Sequence, residues 1–157
     1  MSKKVHWKSG RYVPQNPKKY IGREYPTYRS TWEHKFCQFC DEHPNIVFWA
    51  CECIAIPYKH PFTKQTKNYV PDFFVIYKDS KGRKKSELIE IKPLQETVPR
   101  LAGGKKQKEA VIINQAKWEA AKIYCKKNNI YFRILSENHI FSKTKHSKNV
   151  KNKKKRR

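Results

Sequence analysis

Tyr69-Val70-Pro71-Asp72-Phe73-Phe74-Val75-Ile76-Tyr77 and Ser86-Glu87-Leu88-Ile89-Glu90-Ile91-Lys92 are two apolar runs separated by the polar segment Lys78 to Lys85. β-Branched and aromatic residues favour strands, and Asp79, Ser80 and Gly82 favour a turn, so the two runs predict a hairpin whose returning strand spans Ser86 to Ile91. Pro71 falls near the start of its strand, where a missing amide is tolerated. Residues two apart in a strand share a face, which points Glu90 and Lys92 the same way and turns Ile91 into the core. Antiparallel pairing can place Asp72 across from Glu90.

Outward from the hairpin the elements follow in order. Ser30 or Thr31 can cap a helix that runs to about Asp41, with Glu33 in the first turn, where a helix N-terminus favours an anion. Trp32, Phe36, Phe39 and Cys40 recur at helical spacing and should face the core. His43-Pro44-Asn45 breaks the helix. Ile46 to Ile56 reads as a strand, and Pro57 to Lys67 as a loop or interrupted edge. Beyond the hairpin lies a basic loop, Leu94 to Lys108, with Gly103-Gly104 inside it. A helix from about Gln107 to Asn128 should bury Val111, Ile112, Ala116, Ala120, Ile123 and Tyr124 on one face. Ile130 to Leu135 closes as a last strand. The expected fold is α/β, a mixed β-sheet flanked by helices in one domain.

The 157 residues carry 36 Lys and Arg against 13 Asp and Glu, a net charge of +23. Such an excess opposes compaction by self-repulsion, and a polyanion relieves it. The segment Lys143 to Arg157 holds nine cations and no acid: Lys143, Lys145, Lys148, Lys151, Lys153, Lys154, Lys155, Arg156 and Arg157. Without it the chain keeps 27 basic and 13 acidic residues, still +14. The stretch up to Arg23 adds seven cations, no acid, Pro14 and Pro17. The expected organisation is a flexible basic arm over 1–24, a core domain over 25–141 and a disordered basic tail over 142–157 that binds phosphates. At 38% hydrophobic and 13% aromatic the chain has material for a core, so wholesale disorder is excluded. No apolar run approaches the roughly 20 residues of a membrane span. Five cysteines without an apolar leader suit a reduced intracellular setting. Nucleic acid is the expected partner, with no membrane and no small-molecule substrate.

Asp72 and Glu90 on neighbouring strands would form a hard-oxygen site of the kind that holds Mg²⁺ through one or two carboxylates plus substrate phosphate oxygens, with Mn²⁺ able to substitute. Phosphodiester hydrolysis needs neutralised phosphate charge, an activated water and a stabilised leaving oxygen. A metal on Asp72 and Glu90 meets the first two needs, and Lys92 beside the phosphate can orient water or stabilise developing charge. Glu33 can reach the same metal through water, although capping alone also explains an acid in its position.

Pro71-Asp72, followed after seventeen intervening residues by Glu90-Ile91-Lys92, resembles the PD-(D/E)XK nuclease superfamily. Glu33 falls where that superfamily carries a helical acid. Tyr28-Arg29-Ser30-Thr31-Trp32-Glu33, Tyr69-Val70-Pro71-Asp72-Phe73 and Ile89-Glu90-Ile91-Lys92-Pro93 are similar to two of its branches. One comprises transposon end-cutting endonucleases. The other, nearer in size and in its basic N-terminal arm, comprises the head-completion nucleases of contractile-tailed (T-even-like) bacteriophages, and the likeness covers about residues 1–135. The resemblance implies a restriction-endonuclease-like fold and a catalytic set of Glu33, Asp72, Glu90 and Lys92. It implies Mg²⁺ on Asp72 and Glu90, and Gln115 as an auxiliary residue on the helix after the motif. It further implies a minor head protein that cuts double-stranded or branched DNA after packaging and before tail joining. Such a protein would contact head or portal components and occupy the virion and the host cytoplasm.

Two rivals compete with this reading. A DNA-holding head protein would keep the fold and the charge without the chemistry. A zinc module would use Cys37, Cys40, Cys51 and Cys53, but those residues fall mid-helix and mid-strand, where small buried hydrophobes fit better than thiolate ligands. Glu52 can face the site or pair with a nearby cation.

Overall fold

The computed structural model describes residues 9–98 and 103–137. Its elements are β1 (Gly10–Arg11), β2 (Thr27–Tyr28), α1 (Thr31–Glu42), β3 (Ile46–Cys51), β4 (Ile56–Lys59), β5 (Thr66–Tyr69), β6 (Phe73–Lys78), β7 (Lys84–Ile91), α2 (Lys105–Lys127) and β8 (Tyr131–Leu135). The central sheet runs β3-β6-β7-β8, antiparallel except for the parallel pair β7–β8. A parallel pair needs a crossover, and α2 supplies it. This is the mixed sheet with flanking helices that the sequence predicts.

Each element has a local cause. Ser30 Oγ accepts the Glu33 amide at 3.1 Å and starts α1, satisfying one of the donors left over at a helix N-terminus. The β6–β7 turn closes on Asp79, whose Oδ1 accepts the Lys81 and Arg83 amides at 2.9 Å each. Gly82 there has φ +74°, a conformation that costs glycine little.

Alternation along the sheet divides the core. Phe73, Val75, Ile89 and Ile91 face α1 and pack with Phe36, Cys37, Cys40 and Trp49. Leu88 and Phe74 face the opposite way, toward Ile56, Tyr58, Tyr69, Trp118, Ala121 and Cys125. Full burial of a side chain such as Phe73 contributes roughly 1.5–3 kcal/mol. Cys37 and Cys40 are fully buried, as expected of small hydrophobes, whereas Cys53 is exposed.

Five expectations need correction. The strand from Ile46 ends at Cys51, because Glu52 adopts φ +44° and turns the chain away. The segment expected as a loop or interrupted edge over Pro57 to Lys67 holds most of an antiparallel ladder, from Ile56↔Tyr69 to Lys59↔Thr66. Ile56 and Tyr58 are buried there while Pro57 and Lys59 are exposed, so period-2 alternation outweighs the local effect of the prolines. Tyr69 therefore ends β5, and the strand after Asp72 begins at Phe73.

Helix α2 buries Val111, Asn114, Trp118, Ala121 and Cys125, a 3-4-3-4 spacing, and leaves Ile112 and Ile123 exposed. The buried face centres on the large indole of Trp118, with the expected Ala116, Ala120 and Tyr124 packed at its margin. The N-terminal stretch is not a free arm over its described part. Tyr12 is 7% exposed in the α1-side core, and the Asp41 carboxylate holds the segment down. Asp41 accepts the Tyr12 hydroxyl at 2.8 Å and the Gln15 and Asn16 amides at 2.7 and 2.9 Å. Lys19 Nζ adds bonds to the Asp41 and His43 carbonyls at 2.9 Å each. Residues 1–8 and the tail cations from Lys143 to Arg157 lie outside the described residues.

Candidate active site

Phe73↔Ile89 is the last register pair on this side of the β6–β7 ladder, so Asp72 and Glu90 sit side by side one step beyond it. Asp72 is tied to both neighbouring strands. Its carbonyl accepts the Glu52 amide at 3.0 Å on the β3 side, and its Oδ2 accepts the Ile91 amide at 2.8 Å on the β7 side. Pro71 is fully buried behind it. Burial, then the charge of Glu90, push the Asp72 pKa up to about 8 against the opposing pull of the Ile91 amide. Burial raises Glu90 as well, restrained first by the Tyr69 hydroxyl, which donates to Oε2 at 2.8 Å, and then by Lys92.

Lys92 Nζ lies 3.9 Å from Glu90 Oε1 and 3.9 Å from Glu96 Oε2, so it bridges the strand end and the short 3-10 turn Leu94–Glu96. Its backbone amide is held by the Leu135 carbonyl at 2.9 Å. Glu33 reaches back from the first turn of α1 and accepts the Arg29 amide at 2.7 Å. Its pKa is raised, chiefly by burial, and it is near enough to Asp72 and Lys92 for charge coupling to both. The two accounts of Glu33 are thus compatible: it caps, and it stands at the edge of the acid group. Glu52 is exposed and pairs with the Arg29 guanidinium at 3.1 Å.

Glu33, Asp72, Glu90 and Lys92 are therefore brought into one electrostatic group. Gln115 is an exposed residue of α2. The α2 residue whose charge reaches Glu90 is Lys117, two positions on, with Nζ 5.8 Å from the Tyr58 ring centroid and 5.7 Å from that of Tyr69. Burial, followed by Lys92, lowers its pKa. Sequence reasoning missed both Tyr69 and Lys117. The signal for Lys117 was its place between Asn114 and Ala121 on the buried face, where a lone cation needs an explanation.

The donor chemistry fits a hard divalent ion. Asp72 and Glu90 offer only oxygen, and two mutually repelling carboxylates, one buried and one half-buried, gain most from a cation between them. Among the described residues no three His, Cys, Asp or Glu side chains converge as a closed cage. An ion on these two acids would complete its shell with water and substrate oxygens, the habit of Mg²⁺.

The family described as TnsA-like endonuclease N terminal matches residues 43–137, a span that contains Asp72, Glu90 and Lys92 and begins after Glu33. The head completion nuclease of Enterobacteria phage T4 is 36% identical over 140 residues, covering 82% of this chain and 91% of that protein. With the matching sheet, the chain belongs to the TnsA-like endonuclease family, whose domain has a restriction-endonuclease-like fold.

Proposed function

We propose that this protein is a divalent-metal-dependent DNA endonuclease that acts as a minor head protein during phage head completion. The observation that carries the reading is the half-buried Asp72, just ahead of β6, beside the buried Glu90 of β7, with Lys92 bridged to Glu90. Mg²⁺, or Mn²⁺ in its place, held by Asp72 and Glu90, would neutralise phosphate charge and lower the pKa of a water. The chain's own groups do the rest. The Ile91 amide orients the Asp72 carboxylate, and the Tyr69 hydroxyl orients that of Glu90. Lys92 places a cation against the phosphate, where it stabilises charge that develops during cleavage. Glu33 adds a carboxylate at the rim, within reach of the same ion through water, and Gln115 is an auxiliary candidate at the helix surface.

The net charge of +23 supports a polyanionic substrate, with the nine cations from Lys143 to Arg157 as sequence-independent phosphate contacts. The resemblance to a phage head completion nuclease supports a role in the virion and infected cell, with head or portal components as partners.

The test is incubation of purified protein with linear, circular and branched DNA, in Mg²⁺ and in EDTA, beside an Asp72→Ala control made in a nuclease-deficient host. Cutting in Mg²⁺ or Mn²⁺ alone, lost in the control, is the expected result. Parental cutting by Asp72→Ala would sink the assignment and favour a DNA-holding head protein.

A further inference from the structure

A cleft of about 550 Å³ opens between the segment Tyr20 to Thr27 and the end of β3. Its floor is Cys51, Glu52 and Cys53, and its outer wall includes Ile21, Arg23 and Tyr25. The floor adjoins the acid group directly, through the Glu52 amide on the Asp72 carbonyl at 3.0 Å. Arg29 joins them a second time, its guanidinium on Glu52 and its amide on Glu33.

The wall is fastened. The Ile21 amide bonds the Trp49 carbonyl at 3.0 Å, and the Tyr12 amide bonds the Pro26 carbonyl at 2.8 Å. This holds Tyr25 66% exposed and Ile21 49% exposed, two large apolar surfaces facing water. The lining holds one cation, Arg23, against two acids, Glu24 and Glu52, so it does not suit a bare phosphate. An exposed aromatic ring suits a base, because every base has a face that stacks. The volume lies within the range of small-ligand clefts. A base can enter only if it leaves its duplex, which is least costly for one already unpaired.

We infer that this cleft takes an unpaired nucleotide next to the scissile phosphate, stacked on Tyr25. The preferred substrate is therefore DNA with a single-stranded extension or branch rather than fully paired duplex. This rests on the nuclease reading for the word scissile, and on the cleft alone for binding.

The experiment measures metal-free binding of the full chain to duplexes with a short single-stranded extension containing 2-aminopurine. The comparison is a duplex whose extension has the same phosphates but abasic sugars, which separates base stacking from charge. The parent should favour the base-bearing extension by about tenfold, which is about 1.4 kcal/mol, and change the 2-aminopurine emission. Tyr25→Ala should bring the ratio to about one and remove the emission change, while Tyr25→Phe should keep both. Equal affinity of the parent for the two extensions, or a Tyr25→Ala protein with the full preference, overturns the inference. Cleavage is scored in parallel with Mg²⁺. Base-dependent binding without cleavage supports the cleft and removes the nuclease reading, whereas cleavage without base dependence removes the cleft and keeps the nuclease.

Discussion

The Ile91 amide donates to Asp72 Oδ2 at 2.8 Å, a tie from the backbone of β7 to the acid just before β6. It anchors one carboxylate oxygen in a site where burial and Glu90 push the pKa to about 8. An acid raised in the folded state binds more protons there than in the unfolded chain, so its ionisation weakens the fold as pH rises from about 4 to about 8. Asp72→Asn should therefore stabilise the metal-free protein at pH 8 by an amount on the order of 1–3 kcal/mol, raising its melting temperature, and the gain should shrink toward pH 4. Calorimetry at pH 5 and pH 8 checks this, and a pH-independent difference contradicts it.

A divalent ion on the two acids should reverse that penalty. At one hundred times its dissociation constant, Mg²⁺ should stabilise the parent by about 2.7 kcal/mol. Asp72→Ala and Glu90→Ala should lose both this thermal shift and cleavage, with metal-free DNA affinity equal or slightly better. Lys92→Ala should lose cleavage but retain the thermal shift, because it removes a cation and no ligand. Thermal scans with and without Mg²⁺ separate the two classes.

Tyr69 and Lys117 meet the acid group at Glu90, the first by a hydrogen bond of 2.8 Å and the second by its charge. A hydrogen bond to a charged group contributes roughly 1.5–3 kcal/mol, so Tyr69→Phe should slow cleavage by about tenfold or more and raise the Mg²⁺ concentration for half-maximal rate. Lys117→Gln should shift the same Mg²⁺ titration, in a direction set by loss of a cation beside Glu90, toward lower Mg²⁺. Unchanged titrations in both would remove them from the site.

Asp41 fastens the N-terminal segment. Burial alone would raise its pKa, but the Gln15 and Asn16 amides and the Tyr12 hydroxyl outweigh burial and hold it below the ordinary value. Its contribution is complete above about pH 4 and is lost as pH falls through the folded-state pKa. Asp41→Ala strands these donors and should cost about 2–4 kcal/mol in urea denaturation at pH 7, with faster proteolysis ahead of Thr27.

Removing Lys143 to Arg157 should weaken DNA binding on all sequences alike and reduce the salt slope by several units, at about 0.9 for each phosphate no longer neutralised. Cutting at saturating DNA and low salt should persist. Loss of cutting there, with the fold intact, places the tail in the site.

Short-range chemistry carried much of this in the chain itself. Pro71-Asp72 against Glu90-Ile91-Lys92 needed only period-2 alternation and one turn to bring the two acids together, and Ser30 with Glu33 needed only the geometry of a helix start. Those features depend on neighbours within a few residues, so they are legible without a fold. The β4–β5 ladder was less so, because Pro57 and Pro61 mask the alternation of Ile56, Tyr58 and Tyr69.

Tertiary packing decided the rest. Asp41 looks like any helix-end acid until Tyr12, Gln15 and Asn16 close over it from at least 25 residues away. Tyr69 and Lys117 reach Glu90 from β5 and α2, elements whose approach depends on which face of each is buried. The raised pKa of Asp72 likewise belongs to no residue type, since it comes from burial and from a second carboxylate on another strand. Spacing can nominate an acid, but its ionisation depends on how much water the folded chain removes and which charges it brings near.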